Sequence, residues 1–220
     1  MHFVAAVLQR RVFAVRTPFI ADLRQAGAVI VDPAKVEDLD QIKKPQGMGS
    51  CRGFKYDINE YLAAQGARVP VKSLTEIVKS GKFHPSVRRQ LEQAEQGTAN
   101  GPDSPECQAD TVYREQFRVA VMKLMDTEKL DALIYPTWSN PPRLIGDLNT
   151  PHGDNSQVFS PTTGFPAIQV PMGYSRGDRL PAGITFFGRA WSKSTLIRLA
   201  YGYEQATHHR RAPASTPPLR

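Results

Sequence analysis

Apolar positions recur along this chain with two periods, and each change of period marks an element. Across residues 17–27, Phe19, Ile20, Leu23 and Ala26 keep the three-to-four-residue spacing of one helix face, and Gly27 stands where a C-terminal cap is expected. Ala28-Val-Ile-Val31 follows as a short unbroken apolar run and predicts a buried strand. Helix, glycine and strand make half of an α/β unit. Residues 51–64 predict a second helix, with Phe54, Ile58, Tyr61 and Leu62 on one face and Gly66 ending it. Pro70, Pro85, Pro102 and Pro105, with Gly97 and Gly101, then cut residues 66–110 into loops around two short helices at 73–79 and 86–96.

A long helix is predicted over 109–128 from the stripe Phe117, Ala120, Val121, Leu124 and Met125. Leu130-Asp-Ala-Leu-Ile-Tyr135 feeds a strand that Pro136 stops, and residues 136–157, rich in Pro, Gly and Asn, predict an extended surface loop of the kind that often carries function. A Pro/Gly turn near 164–166 leads to a short buried strand at 167–170, a loop, and a second strand at 183–187. Ser192 is placed to cap a final helix reaching 207, with Leu196, Leu199, Ala200 and Tyr203 facing inward. Residues 213–220, with three prolines, predict a disordered tail. The fold class is therefore α/β, and the simpler organisation is a single domain over 1–212.

The opening residues 1–11 hold a brief apolar run without a basic segment before it, which argues against a secretory signal. Arg10, Arg11 and Arg16 precede the first acid, Asp22, so an organelle presequence is a second reading; a core element cut short is the preferred one. No apolar run has the eighteen or so residues of a membrane span. The formal charge of +7 raises the question of an anionic partner, but basic and acidic residues alternate along the chain and no aromatic-and-basic motif accompanies them. Neither nucleic acid nor a membrane is expected as a partner. Cys51 and Cys107 stand alone, with no metal-ligand or disulfide spacing, and suit a reducing, cytoplasmic setting; no metal and no cofactor is expected.

Candidate chemistry is sparse. Gly49-Ser-Cys-Arg-Gly53 is a Gly/Ser passage, but it runs into the helix at Phe54, where Ser50 makes a sensible N-cap. Ser192-Lys-Ser194 could pair a hydroxyl with a base, yet these residues open an amphipathic helix and Lys193 belongs on its solvent side. His152 and Asp154 with any serine complete a triad only on paper. Adjacent His208 and His209 suit a helix C-terminus and its dipole better than a metal. No catalytic residue is assigned.

Three blocks carry a family resemblance. Tyr113-Arg-Glu-Gln-Phe-Arg118 through Leu130-Asp-Ala-Leu-Ile-Tyr-Pro-Thr137 resembles the long helix and following strand of amidase signature enzymes; Gly164-Phe-Pro-Ala-Ile-Gln-Val-Pro171 resembles their turn and strand; and Leu180-Pro-Ala-Gly-Ile184 through Phe187-Gly-Arg-Ala190 to Arg211 resembles their closing strand and helix. Phe54 to Leu62 and Asp22 to Pro33 are similar to upstream parts of the same fold. The resemblance implies the C-terminal part of a single large mixed sheet flanked by helices. It implies amide hydrolysis by acyl transfer, with a nucleophilic Ser activated through a second Ser and a Lys. That Gly/Ser-rich segment does not occur in this chain, so the expectation is a fragment that is inactive alone, supplying core and pocket wall to an N-terminal amidase half; a non-catalytic paralogue that binds a small amide or a protein is the alternative. The resemblance also brings Asp154, Asn155 and Phe159, with Thr137 and Trp138 after the preceding strand, to a small-molecule amide substrate.

Overall fold

A computed structural model describes residues 3–8, 19–36, 42, 53–99, 101–149, 156, 158–176 and 179–213. The chain divides into two compact units, Met1–Leu39 with Arg118–Arg220, and Asp40–Phe117.

The first unit is built on a five-stranded sheet. Its strands are β1 (Phe3–Leu8), β2 (Ala28–Ala34), β3 (Ala132–Pro136), β4 (Ala167–Ser175) and β5 (Leu180–Phe187), in the spatial order β2-β1-β3-β5-β4. β1 pairs in parallel with both β2 and β3, while β5 runs antiparallel to β3 and β4, so the sheet is mixed and the class is α/β as expected. The opening apolar run thus forms an inner strand of the sheet, and α1 (Phe19–Gln25) completes the β-α-β unit whose second half was legible in the pattern.

Alternation along β3 and β5 sorts the core into two faces. Ala132 and Ile134 share one face with Ile184 and Phe186; Leu133 and Tyr135 share the other with Thr185 and Phe187. The first face is closed by α1 and by α7 (Lys193–Thr207), whose Leu196, Leu199, Ala200 and Tyr203 are all buried against Leu23 and Phe186 as their helical spacing predicts. On the second face Phe159, from the turn before α6 (Ser160–Thr163), lies between Tyr135 and Phe187, with ring centroids 5.4 and 5.7 Å away. β3 is buried along its whole length because strands flank it and both faces are covered.

Several boundaries differ from the pattern reading. Pro136 does not stop β3 but ends it as a paired residue opposite Ile184. β4 is not short and its first four residues are not buried: it runs on to Ser175, and as an edge strand it leaves Ala167 and Gln169 exposed. Edge position also explains why Val29 on β2 is half exposed. The register of β4 slips between Pro171 and Gly173, and Met172, the extra residue, is turned into the core. The long helix α5 (Pro105–Thr127) begins four residues earlier than predicted. It ends at a left-handed Lys129, φ 51°, after which the Leu130 N–H donates back to Met125 O at 2.8 Å and the Leu130 side chain is buried.

The second unit holds α2 (Phe54–Gln65), α3 (Leu74–Ser80), α4 (Arg88–Gln96), two 3₁₀ turns at Gly66–Arg68 and Pro85–Val87, and α5 as far as Phe117. Ser73 caps α3 by accepting from the Glu76 N–H at 3.2 Å, and Asn59 Oδ1 accepts from the Leu74 N–H at 2.8 Å. The expected apolar face of α2 is only partly used: Leu62 is buried, whereas Phe54 and Tyr61 are at least half exposed. The proposed cap Ser50 lies outside the described residues. Cys107 is buried on α5 and disulfide-bonded, which corrects the expectation that the cysteines form no disulfide. Spacing gave no warning, because pairing of distant thiols is decided by where the fold brings their Cβ atoms. It also bears against the reducing setting inferred from the sequence.

Candidate functional site

The residues that end β3 and begin the following loop form one side of a cavity of about 530 Å³. Its walls are Trp138, Asn140, Pro141, Pro142 and Arg143 from the loop, and Ser175, Pro181, Ala182 and Gly183 from the β4-β5 hairpin. Prolines on both sides fix the backbone on which the polar groups are carried. The volume is that of a small-molecule site.

Thr137 sits beneath this cavity rather than in its wall. Its N–H donates to Gly183 O at 2.9 Å, continuing the β3-β5 ladder one residue beyond the strand. Its Oγ1 lies 2.8 Å from Thr185 Oγ1 in a buried hydroxyl pair. A Cβ at position 183 would come within 3.1 Å of Thr137 Oγ1, so the glycine permits this close approach. Thr137 therefore holds the cavity floor in place.

Of the other residues brought to the substrate by resemblance, Trp138 lines the cavity and Phe159 lies in the aromatic core beneath the second face. Asp154 and Asn155 lie outside the described residues, as does His152. Asn140, Arg143 and Ser175 were not singled out in advance. The first two fall in the loop that composition marked, but Ser175 reaches the cavity only through the β4-β5 pairing and carries no sequence signal.

Arg143 holds the one guanidinium among the residues lining this cavity. One of its Nη1 hydrogens is donated to Leu148 O at 3.2 Å, which pins the side chain to its own loop. Its Nε is buried and meets no hydrogen-bond partner among the described residues. Ser175 Oγ donates to Leu180 O at 3.3 Å and keeps its lone pairs for an incoming donor.

The remaining candidates have structural partners. Ser192 Oγ donates to Arg189 O at 2.7 Å, and Lys193 is exposed, so no hydroxyl and base meet there. His208 takes the left-handed position that ends α7, φ 48°, while His209 Nε2 lies 3.1 Å from Asp22 Oδ2 on α1. Ser160 Oγ donates to Phe165 O at 2.7 Å, Thr163 Oγ1 donates to Phe159 O at 2.8 Å, and Arg118 Nε donates to Thr163 O at 3.0 Å. The Pro/Gly turn that leads into β4 is thus a hydrogen-bonded latch. Gly49 to Arg52 lie outside the described residues. Among the described residues no three His, Cys, Asp or Glu side chains are grouped to hold a metal ion, and no helix is long and apolar enough to cross a membrane.

This chain belongs to the amidase family, which it matches over residues 2–197. It is 27% identical over 203 residues to a probable amidase of Arabidopsis thaliana, covering 88% of this chain and 36% of the relative. It is 29% identical over 178 residues to a glutamyl-tRNA(Gln) amidotransferase subunit from a Synechococcus species, covering 75% of this chain and 33% of the relative. The crystal structure of native peptide amidase from Stenotrophomonas maltophilia superposes with a TM-score of 0.67 at 26% identity, covering 95% of this chain and 44% of that one. The chain thus spans well under half the length of these relatives, and the resemblance read from its three blocks is borne out.

Proposed function

We propose that this chain forms part of an amide hydrolase and supplies one wall of its substrate pocket. The observation that carries this reading is the cavity over the end of β3, walled by Trp138 and the prolines and furnished with Asn140, Arg143 and Ser175. An apolar enclosure with a few convergent polar groups suits a small amide, whose body is desolvated while its polar ends are held. The reaction is acyl transfer from the carboxamide to a serine and then to water, with ammonia or an amine leaving. The serine, its partner serine and the lysine come from the N-terminal amidase half, because the Gly/Ser-rich segment that carries them does not occur in this sequence. Ser86 Oγ does lie 2.8 Å from His84 Nδ1, but that pair is exposed and caps a 3₁₀ turn, and neither residue lines the cavity. By itself the chain is inactive, since losing a nucleophile-and-base unit costs several powers of ten in rate. A cytoplasmic setting belongs to this reading, although the disulfide at Cys107 weighs on the other side.

Ammonia release tests it. The 220-residue chain is incubated with simple amides, alone and together with an amidase N-terminal half that carries the Gly/Ser segment. No release alone and release on joining supports the proposal. Turnover by the chain alone sinks the inactive-half reading and moves the nucleophile into this chain. Amide binding without turnover in either case supports the alternative, a non-catalytic paralogue, whose specific support is that the described strands already enclose a core of their own.

A further inference from the structure

We infer that the cavity over β3 takes a ligand bearing a carboxylate, with Arg143 as its counter-ion; the inference rests on the reading of this cavity as a substrate wall. Three observations carry it. First, Arg143 brings the one guanidinium among the residues that line the cavity, where a docked anion would pair with it beside apolar side chains. Second, the side chain is already held: Nη1 donates to Leu148 O at 3.2 Å, so the fork is pre-oriented and loses little freedom when a ligand docks.

Third, the composition of the wall selects the anion. Pro141, Pro142 and Pro181 have no N–H, which removes amide donors from both sides of the cavity and disfavours the nest that cradles a phosphate. A single guanidinium in an otherwise uncharged wall matches one negative charge and the planar two-oxygen geometry of a carboxylate. Trp138, Pro141 and Pro142 would then cover the apolar body beside it, and Ser175 Oγ and the Asn140 amide would meet a neighbouring N–H or C=O. Within the proposed hydrolase, Arg143 would favour amides that carry an acid group over neutral amides of the same shape.

The test compares two probes of equal shape, 3-phenylpropionate and 3-phenylpropanamide, on the full chain. Trp138 fluorescence reports occupancy in a Trp191→Phe background, since these are the chain's two tryptophans and Trp191 is solvent-exposed. The expected result is that the acid, ionised at neutral pH, binds at least tenfold tighter than the amide, and that added salt narrows the gap. Arg143→Met should erase the preference, and Arg143→Lys should keep part of it. Equal binding of both probes to the Trp191→Phe protein, or a preference that survives Arg143→Met, overturns the inference while leaving the substrate-wall reading standing. Binding of neither probe overturns both. Should Arg143→Met fail to fold, the acid-to-amide ratio and its salt dependence in the Trp191→Phe protein decide the matter alone.

Discussion

Thr137 Oγ1 and Thr185 Oγ1 meet at 2.8 Å on neighbouring strands, both side chains almost completely buried, directly under the glycine that lines the cavity. The pair bonds two hydroxyls that would otherwise be left without water in the sheet. It also places Thr137, which resemblance assigned to the substrate wall, one layer below the cavity lining.

Thr137→Val keeps the shape and removes the hydroxyl. The expected cost is about 1–2 kcal/mol in chemical denaturation, since one buried partner is left behind. The double variant Thr137→Val with Thr185→Val should recover part of that loss, as the orphaned group is then gone too. A loss of amide binding with stability unchanged would instead make Thr137 a ligand contact.

Phe159 should behave as a core residue. Phe159→Ala opens a hole between Tyr135 and Phe187 and is expected to cost about 3–5 kcal/mol, with Phe159→Leu costing clearly less. Thermal unfolding of both variants checks this. A stable Ala variant with impaired ligand binding would return Phe159 to the pocket wall.

Gly188 sits between β5 and α7 with no room for a side chain: a Cβ there would lie 2.3 Å from Ser192 Oγ and 3.0 Å from Leu196 Cδ2. Gly188→Ala is expected to destabilise by about 1–3 kcal/mol through overpacking. Adding Ser192→Ala should restore part of it, because the nearer clash is with that hydroxyl. Melting temperatures of the single and double variants give the answer.

Tyr203 reports on alkaline stability. Burial first, and the Asp22 carboxylate second, push its phenol well above the ordinary value of 10.0. Above about pH 10 the unfolded chain therefore releases this proton while the folded chain keeps it. The stabilisation is whole below about pH 10 and is lost as pH rises through the folded value. Urea unfolding from about pH 9 to 11 should show stability falling, and Tyr203→Phe should fall less steeply. The Phe variant should be no less stable near neutral pH, since the buried Tyr203 hydroxyl has no hydrogen-bond partner among the described residues.

Local periodicity was enough to recognise most helices. α7 buries the four residues its spacing named, α3 falls where a short helix was predicted, and α1 ends two residues before Gly27, because short-range sterics and side-chain capping act within a few residues. Strand environment was less legible. An apolar run such as 167–170 looks alike in a central and an edge strand, and only the pairing order made β4 an edge and β3 the buried centre. The same holds for β1, whose apolar run became an inner strand by pairing with both β2 and β3.

By itself, the sequence determined the α/β class and the amidase family, because motifs and periodicity are properties of neighbouring residues. Tertiary structure alone decided which of those residues meet. It turned Thr137 into the sheet and Trp138 into the cavity, set Phe159 among the core aromatics, and placed His209 against Asp22. It also brought Ser175 across a hairpin to face the loop of Arg143. Contacts between positions tens of residues apart depend on strand order and register, which no local pattern encodes.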